Sequence, residues 1–476
     1  MAARTGQEYL AGLRDDREIW LNGERVKDVT AHPALAGGAH AVAAIYDLQH
    51  AAADVCLMPN PDTGDPMGVS HLIPRSREDL LIRHDCLERI AASSAGTLGR
   101  SPDYLNVTFA GFAGRADVWA GNGNERAAAN LVAFQKEIAA RDLALTHTIV
   151  HPTVDKSVED VYAAGGNVAL RKVGETEHGI LVRGARVLAT LAPFSDEIAV
   201  YPGHPIPKEA KDYAVAFSIP LATPGLKFLC RDSFSTDSNR FDHPLSGRFD
   251  EQDAFVIFDN VEIPRDRVFI DGDPDIYFRV MLAGWDANIM QQTTIRAQTK
   301  LEFAYGLGTR IAEALNAKDT VTTELLGELW TYVELTRAAL RAAELDAYEW
   351  GNGAWFPAPG PLRALRPTLP RWFPRTNEIL KLIGGHNLLT TPTEAELANP
   401  DLRPLIDHYY QAAQAGAAER TRLFRLAWDF IGSALAGRGE LYERFYLASA
   451  ARNYQLAHRA SPKERALALV DRFLKE

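Results

Sequence analysis

Cysteine is scarce in this sequence, and no metal-binding pattern accompanies it. The 476 residues include only three cysteines, Cys56, Cys86 and Cys230, and no two of them have the CxxC spacing. Such separated thiols build no disulfide framework and do not match the ligand spacing of zinc or iron–sulfur sites. We therefore expect reduced thiols, a cytoplasmic protein and no metal centre.

Long apolar runs and an excess of positive charge are also missing. No stretch approaches the roughly 20 apolar residues that a membrane helix requires, and the residues after Met1 form no apolar signal segment. Fifty-one Lys and Arg residues stand against 62 Asp and Glu residues, for a net charge of -11. Because this charge repels polyanions, we expect no nucleic-acid binding. Because no long apolar run is present, we also expect no membrane insertion.

The common nucleotide and hydrolase motifs are absent or incomplete. The sequence contains neither a Walker A loop nor a GxSxG nucleophile elbow. Gly121–Arg126 begins like GxGxxG, but it lacks the preceding strand and the third glycine of a dinucleotide fingerprint. His147 and His151 have the i, i+4 spacing of a helical metal pair, yet the β-branched residues between them and Pro152 favour a strand that enters a turn.

The hydrophobic pattern divides the chain into three parts, helical, β and helical. Hydrophobic residues make up 46% and charged residues 24%, an ordinary globular composition, and the length suggests about three domains. An Asn-Gly pair within Glu18–Val26 predicts an early hairpin. From about Leu145, short β-branched and aromatic runs predict a compact β module. Beyond about Asp271 the helical period returns.

Two features of the carboxyl-terminal part are less regular. Gly351–Thr376 contains six prolines, which predicts a loop or crossover between long helices. A last helical region is predicted from Ala417 to Leu435, followed by Gly437-Arg438-Gly439 and a short tail. Arg438 between two glycines could cap a helix C-terminus and do nothing more.

Taken in order, several segments resemble the flavin-dependent phenol hydroxylases, and specifically the oxygenase component of the two-component 4-hydroxyphenylacetate 3-monooxygenase family. Singly, each of them also suits an ordinary turn or strand. The resemblance spans most of the chain. It rests on the following segments: Gly99–Tyr104, Leu145–Thr148, His151–Ser157, Val182–Thr190, Asp259–Pro264 and Gly437–Tyr446.

The resemblance implies an α+β multidomain protein with the acyl-CoA dehydrogenase-like fold. Residues 1–144 would form a helical domain, 145–271 a central β-barrel and 272–476 a four-helix bundle. Flavin lies between barrel and bundle in this fold, which would explain the missing Rossmann fingerprint. Family members are typically homotetramers, so we expect the same assembly here.

The implied reaction is monooxygenation of a phenolic, 4-hydroxyphenylacetate-like substrate ortho to its hydroxyl group. A separate NAD(P)H-flavin reductase would supply FADH2, and O2 would be the co-substrate. Oxygen would add to the flavin to give a C4a-hydroperoxyflavin, whose distal OH is transferred to the ring. The protein must keep this species dry and orient the phenol towards it.

Carried over residue by residue, the resemblance names two sets of site residues. Arg100, Tyr104 and His147 match the trio that hydrogen-bonds the phenol oxygen, and such a set favours phenolate, the better nucleophile. His147 is expected to accept the phenol proton because its reference pKa lies near neutrality. The resemblance places the flavin on a second set of residues: His147, Thr148, Ile149, Thr153, Val154, Asp155, Lys156, Thr190, Ala436, Gly437, Arg438 and Gly439.

Within the flavin set, three assignments have a stated chemistry. Thr190 matches a threonine near flavin N5, where a hydroxyl can accept a hydrogen bond from the N5 proton. Lys156 stands where arginine is common in a flavin-binding turn, and a point charge can still meet pyrophosphate. The glycines of Ala436–Gly439 permit close backbone approach.

The end of the site that would select the substrate departs from the family pattern. Gly203 and His204 stand where the 4-hydroxyphenylacetate enzymes carry small hydroxyl residues that meet the substrate carboxylate. His204 could bind a carboxylate when protonated, or it could mark a different side group. Asn288–Gln292 contains no histidine, unlike the corresponding segment of the chlorophenol and nitrophenol hydroxylases.

Three alternatives accompany this interpretation. An acyl-CoA dehydrogenase-like flavoenzyme would need a carboxylate base beside the flavin, and no motif places one. The related radical dehydratase needs an iron–sulfur cluster that the cysteine spacing does not support. A non-catalytic scaffold that kept the fold would have no reason to bind FADH2, so flavin affinity separates it from the enzymes.

Overall fold

The computed structural model describes residues 3–157, 167–203, 206–235, 239–283 and 285–474. Helices predominate before Leu145, strands predominate from Leu145 to Asp271, and helices follow from Pro274. The predicted helical, β, helical order is therefore confirmed. In the described ranges, no helix is both long and apolar enough to cross a bilayer.

The amino-terminal part is mainly helical and contains the predicted hairpin. Its helices are α1 (Gly6–Gly12), α2 (Ala36–Ala51), α3 (Ala53–Cys56), α4 (Arg77–Ser93), α5 (Pro102–Gly114), α6 (Ala116–Trp119) and α7 (Glu125–Arg141). The hairpin consists of β1 (Glu18–Leu21) and β2 (Glu24–Val26), and β3 (Leu57–Pro59) pairs with β4 (Pro66–Gly68). Asn22 and Gly23 both have positive φ, as a two-residue hairpin turn requires.

The central part supplies the remaining strands of two sheets. They are β5 (Leu145–His147), β6 (Arg171–Glu175), β7 (Gly179–Thr190), β8 (Glu197–Val200), β9 (Val215–Pro220), β10 (Leu226–Cys230), β11 (Asp253–Pro264) and β12 (Val268–Asp271). One sheet has the order β2-β1-β10-β11-β7-β6 and the other β12-β9-β8-β5. The amino-terminal hairpin thus extends the central sheet, because β1 pairs in parallel with β10.

The two sheets share one hydrophobic core. Val182 and Phe258 of the first sheet belong to the same buried cluster as Ile198 and Phe217 of the second. The rings of Phe217 and Phe258 meet edge to face across the cluster, with centroids 6.0 Å apart. The expected barrel is built, in the described residues, as two packed sheets.

The carboxyl-terminal part is a helical bundle preceded by one short helix, α8 (Ser246–Phe249). Its elements are α9 (Pro274–Leu282), α10 (Trp285–Leu315), α11 (Thr320–Leu345), β13 (Tyr348–Gly351), β14 (Ala354–Phe356), α12 (Pro359–Gly384), α13 (Glu394–Ala398), α14 (Arg403–Tyr409), α15 (Ala417–Ile431), α16 (Ala434–Phe445), α17 (Ala450–Ala460) and α18 (Glu464–Leu474). The helices α10, α11 and α12 pack against one another.

The loop predicted for the proline-rich segment is wrong. After a short β-hairpin, α12 begins at Pro359 and continues through Pro367, Pro370 and Pro374. Its apolar side chains, among them Leu362 and Phe373, are buried in the bundle. Tertiary packing of this apolar face outweighs the hydrogen bonds that the interior prolines remove.

The prediction for the end of the chain also needs correction. Gly437-Arg438-Gly439 lies inside α16 instead of following the last helix, and α17 and α18 occupy what was expected to be a short tail. Ser433 caps α16 by accepting a hydrogen bond from Ala436 N. The side chains at positions 438, 442 and 446 therefore recur on one side of a continuous helix.

Candidate active site

Arg100 is held at the start of α5 by a buried carboxylate from the central part. The backbone N–H groups of Gly99 and Arg100 each donate to Glu251 Oε2 at 3.0 Å. Pro102 occupies the first turn of α5, where a missing N–H costs nothing. Glu251 is fully buried, so its two backbone hydrogen bonds fix the loop from which the Arg100 side chain extends.

The Arg100 guanidinium is surrounded by aromatic side chains. Its Nη1 donates to the Tyr442 hydroxyl at 2.8 Å, and its Nε donates to His147 Nε2 at 3.3 Å. The guanidinium carbon lies 4.0 Å from the ring centroid of Tyr104 and 4.3 Å from that of Tyr446. Burial alone would lower the pKa of Arg100, but the electrostatic effect of the surrounding tyrosines raises it, so the charge is retained.

His147 is a neutral, fully hydrogen-bonded imidazole. It lies at the end of β5, where burial and the positive charge of Arg100 hold its pKa well below the ordinary value. Because Nε2 accepts from Arg100, the ring proton is on Nδ1 and is donated to the Tyr201 oxygen. The pKa of His147 in the folded chain is therefore lower than the reference value from which its role was expected.

Tyr201 continues the hydrogen-bond chain to the third member of the predicted trio. Burial and the neighbouring Tyr104 raise the pKa of Tyr201, and the two hydroxyls are hydrogen-bonded. The rings of Tyr104 and His147 meet edge to face, with centroids 5.4 Å apart. The structure thus brings Arg100, Tyr104 and His147 into one cluster and adds Tyr201 to it.

A second network surrounds Thr190 and Arg438. The Thr190 hydroxyl donates to Asp253 Oδ1 at 2.8 Å. Arg438 donates to both oxygens of Asp253, from Nε at 2.8 Å and from Nη2 at 2.6 Å. Its Nη1 also donates to Glu251 at 2.6 Å, so the network continues to the carboxylate that holds Arg100. Arg438 is therefore an interior ion-pair partner and not merely a helix cap.

Thr148, Ile149 and Gly203 lie together beside the first cluster. Thr148 N donates to the Ala199 carbonyl, and a Cβ added to Gly203 would lie 2.7 Å from Ile149 Cβ. The Thr148 hydroxyl is buried and has no hydrogen-bond partner in the described structure, so it remains available to a ligand. His204, the other predicted specificity residue, lies outside the described residues.

The remaining predicted flavin residues lie in two different environments. Thr153–Lys156 forms an exposed turn, in which Asp155 accepts hydrogen bonds from the backbone and hydroxyl of Ser157. In contrast, Ala436–Gly439 belongs to α16, where Ala436 is buried, Arg438 and Gly439 are partly buried and Gly437 is exposed. A Cβ at Gly437 would meet nothing within 4 Å, and at Gly439 it would meet only Lys300 Nζ at 3.9 Å. The open space beside these glycines suits the close approach of a flat ligand.

A third polar cluster lies on the same helix. Glu443 accepts from Arg296 through both oxygens at 2.8 Å and from Lys300 at 2.9 Å. Although burial opposes ionisation, the two cations lower the pKa of Glu443 to about 2. A narrow cleft beside Lys300 separates this cluster from α12.

Neither histidine of the i, i+4 pair is positioned as a metal ligand. Arg100 donates to His147 Nε2, and Arg186 Nη1 lies 3.1 Å from His151 Nε2. A guanidinium at the Nε2 atom of each histidine opposes cation binding there. Within the described ranges, no group of three or more His, Cys, Asp or Glu side chains could hold a metal ion.

Sequence reasoning missed several polar residues of the site. Tyr442 and Tyr446 follow Arg438 at intervals of four, a helical spacing that is present in the sequence but carried no weight while the last helical region was expected to end near Leu435. Glu251 lies just before the apolar strand β11 and Asp253 is its first residue, and no motif marks either of them.

The comparisons with known proteins identify the family. Residues 5–270 match the family described as 4-hydroxyphenylacetate 3-hydroxylase N terminal, and residues 281–475 match its C-terminal counterpart. The chain is 36% identical to the 4-hydroxyphenylacetate 3-monooxygenase oxygenase component of Thermus thermophilus, over 100% of this chain and 98% of the relative. It is 33% identical to the 4-nitrophenol 2-monooxygenase oxygenase component of a Rhodococcus species, over 93% and 85%.

Solved structures agree with this assignment. The oxygenase component of 4-hydroxyphenylacetate 3-monooxygenase, complexed with FAD and 4-hydroxyphenylacetate, superposes with a TM-score of 0.95 at 36% identity, over 99% of this chain and 98% of that one. An archaeal 4-hydroxybutyryl-CoA dehydratase superposes with a TM-score of 0.89 at 19% identity, over 100% and 95%, which shows the fold alone. The expected acyl-CoA dehydrogenase-like fold class is confirmed. The chain belongs to the 4-hydroxyphenylacetate 3-hydroxylase family.

Proposed function

We propose that this protein is the oxygenase component of a two-component monooxygenase that hydroxylates a para-substituted phenol ortho to its hydroxyl group. A separate NAD(P)H-flavin reductase supplies the FADH2. The observation that carries the proposal is the Arg100–His147 pair, in a chain of this family. The guanidinium of Arg100 has neutral aromatic neighbours, and in the described part of the chain no carboxylate is bonded to that side chain.

A cation with this environment suits a phenolate. Arg100 favours the ionised form of a phenol through charge and hydrogen bonding, and the ionised ring is more electron-rich. His147 has one lone pair, on Nε2, and this nitrogen accepts the hydrogen bond of the phenol hydroxyl when the substrate displaces Arg100 Nε from it. The rings of Tyr104, Tyr442 and Tyr446 exclude water around the same position.

The residues of the second network fit a reduced flavin. Thr190 offers an oxygen lone pair, and the buried hydroxyl of Thr148, beside the first cluster, has no hydrogen-bond partner in the described residues. A Cβ at the exposed Gly437 would meet nothing within 4 Å, so a flat ring can approach α16 there. When bound there, reduced FAD activates O2 and supplies the hydroxyl group added to the phenol. We assign Thr153–Lys156 to the phosphates, because an exposed turn with a lysine suits an anion that projects from the ring.

An acyl-CoA dehydrogenase-like reaction is disfavoured by the state of the carboxylates in the site. That chemistry needs a carboxylate base beside the flavin, and Glu251 and Asp253 are the acidic groups of this network. Asp253 is ion-paired with Arg438 and Arg231, which hold its pKa well below the ordinary range despite burial. Glu251 accepts from two backbone N–H groups and from Arg438. Both carboxylates are therefore engaged by protein donors, and neither is placed as a free base.

The substrate class is a phenol with a para substituent, and its side group is set by the region of Gly203 and His204. The para side group of the phenol is either a carboxylate or another substituent. A panel containing 4-hydroxyphenylacetate, 4-nitrophenol and a neutral para-alkyl phenol separates the possibilities. A preference for the carboxylate compound that disappears in His204→Ala would assign carboxylate binding to His204.

We also propose that the chain forms a homotetramer of three-domain protomers, bounded at residues 144 and 271, and that it works in the cytoplasm. The assembly is supported by α18, which carries an apolar face in full contact with solvent in one protomer. Leu467, Val470 and Phe473 are 57%, 56% and 69% exposed, more than a free surface helix usually leaves uncovered. We expect Leu467→Glu to shift the assembly towards smaller species in light scattering after size-exclusion chromatography; an unchanged tetramer would contradict this role for α18.

The test of the proposed reaction is a single-turnover experiment. The protein is mixed anaerobically with reduced FAD and a phenol of the panel, oxygenated buffer is added, and the hydroxylated product and H2O2 are quantified. We expect ortho-hydroxylated product with at least one phenol. Release of all reducing equivalents as H2O2 with every phenol, at the rate of free reduced FAD, would overturn the proposal.

A further inference from the structure

We propose that Asp253 is a positioning residue that fixes the direction of the Thr190 hydroxyl, so that Thr190 presents a lone pair, and not a proton, to flavin N5. The inference rests on the proposed function, because it takes Thr190 as the residue beside N5. Nothing in the sequence pattern marks Asp253, and its place is seen only in the folded chain.

The geometry first fixes the protonation state of Asp253. Its Oδ1 receives Thr190 Oγ1 at 2.8 Å and Arg438 Nη2 at 2.6 Å, and its Oδ2 receives Arg438 Nε at 2.8 Å and Arg231 Nε at 3.0 Å. Two guanidinium groups on one carboxylate keep it ionised. An ionised carboxylate accepts hydrogen bonds and cannot donate them.

The direction of the Thr190 hydroxyl follows. A threonine hydroxyl has one proton and two lone pairs. Since Asp253 cannot donate, the single proton of Thr190 is directed to Asp253, and the oxygen is left as an acceptor for anything on its other side. Thr190 is 4% exposed, so water does not compete freely for this orientation.

An acceptor at this position distinguishes the two oxidation states of flavin. Reduced flavin carries a proton on N5 and can donate it, whereas the N5 atom of oxidised flavin is itself an acceptor. A hydroxyl locked as an acceptor therefore stabilises the reduced form and opposes the oxidised form. When reduced flavin returns to the oxidised form with release of H2O2, N5 must give up this proton, so the same hydrogen bond also slows the unproductive reaction.

A purely structural role for Asp253 makes different predictions. As an ion-pair partner alone, Asp253 would affect folding and would change the affinity for both flavin forms equally. Asp250 is the matched control, since it is also buried and also paired with Arg231, but it does not contact Thr190. Thr190→Val removes the hydroxyl at nearly constant shape.

The test measures the dissociation constants of oxidised FAD and of dithionite-reduced FAD, by anaerobic titration of the intact protein. We expect Asp253→Asn and Thr190→Val each to reduce the preference for the reduced form by roughly tenfold, the effect of one hydrogen bond. Asp253→Asn in the Thr190→Val background should cause no further loss, because Asp253 acts through Thr190. Asp250→Asn should keep the wild-type preference.

If Asp253→Asn does not fold, Asp253→Glu provides the second variant. It retains the charge for both arginines but moves the carboxylate by one methylene, and we expect a smaller loss in the same direction. The proportion of H2O2 to hydroxylated product should rise in every variant that loses the preference.

The outcomes separate this inference from the proposed function. A wild-type preference retained in Asp253→Asn, an equal loss in Asp250→Asn, or losses that add in the double variant would each overturn the role of Asp253. A wild-type protein that binds oxidised FAD more tightly than FADH2 would overturn it as well. Failure of the wild-type protein to bind either form would instead contradict the proposed function.

Discussion

Two arginines, the buried Arg296 and the partly buried Arg100, lie against the same helix, α16, and differ in their partners. Arg296 is paired in bidentate fashion with Glu443, which also binds Lys300. Arg100 contacts Tyr442, Tyr446, Tyr104 and the neutral His147, and in the described part of the chain its side chain has no carboxylate partner. A cation whose charge is already neutralised stabilises the fold, whereas a cation held only by neutral groups can bind an anionic ligand.

The largest effect is expected when the cluster in which Glu443 neutralises Arg296 and Lys300 is broken. Glu443→Gln leaves Arg296 and Lys300 buried without their counter-ion, and removing one partner of a buried ion pair typically costs about 3–5 kcal/mol. We expect the free energy of unfolding, measured in urea, to fall by about this amount.

Glu440 provides the control on the same helix. It pairs with Arg444 near the surface, and exposed pairs contribute about 0–1 kcal/mol. Equal destabilisation by Glu440→Gln and Glu443→Gln would contradict the distinction between a buried and a surface pair.

The second effect is expected when Arg100, the cation without a carboxylate partner, is removed. Arg100→Gln should lower the rate of hydroxylation by about 10²–10³, the usual cost of one preorganised donor to a developing or bound oxyanion, and divert reducing equivalents to H2O2. The free energy of unfolding should change little, since no carboxylate loses its partner. Unchanged coupling of product to FADH2 consumption would show that Arg100 does not hold the phenol.

The third effect concerns the neutral partner of Arg100. His147→Gln replaces the Nε2 acceptor by an amide group, and we expect hydroxylation to fall by about 10²-fold, the usual cost of removing one preorganised hydrogen-bonding group from an active site. Binding of FADH2, measured by anaerobic titration, should remain largely intact. Normal turnover by this variant would remove His147 from the reaction.

The pH dependence of the hydroxylation rate in the wild-type protein tests the low pKa of His147. Because the pKa of His147 lies well below its ordinary value of 6.5, the ring stays neutral through the physiological range. The rate of hydroxylation should therefore show no ionisation near pH 6.5. A rate that falls with a midpoint at this pH in the wild type, but not in His147→Gln, would contradict the low pKa.

The smallest expected effect appears only in acid. The pKa of Glu443 is about 2 in the folded protein and 4.5 for an ordinary glutamate. Its contribution to stability is thus fully present above about pH 4.5 and is lost as the pH falls from there towards 2. Thermal unfolding followed across this interval should show a steeper loss in the wild type than in Glu443→Gln.

The sequence predicted much of the fold because its strongest signals are local. The Asn22-Gly23 turn and the change of period at Leu145 both correspond to elements of the structure. The failure at α12 has the opposite cause. Three interior prolines argue locally against a helix, and only packing of the helix in the bundle outweighs them.

The candidate site was predictable only in part. Arg100, Tyr104 and His147 were named from the resemblance, and the structure brings them together. The low pKa of His147 was not predictable, because it arises from burial and from a guanidinium 47 residues away in the chain. Glu251 and Asp253 connect β11 and its approach to α16 by contacts that no local pattern encodes.

The most direct test of the central claim is the ionisation state of a bound phenol. Ultraviolet difference spectra of 4-hydroxyphenylacetate would be recorded at neutral pH in the anaerobic complex with reduced FAD, for the wild type and for Arg100→Gln. We predict a phenolate spectrum in the wild type, although the free phenol is neutral under these conditions, and a neutral phenol spectrum in Arg100→Gln. Bound phenol that stays neutral in the wild type, or that ionises equally in both proteins, would contradict the assignment of Arg100 as the phenolate-binding cation.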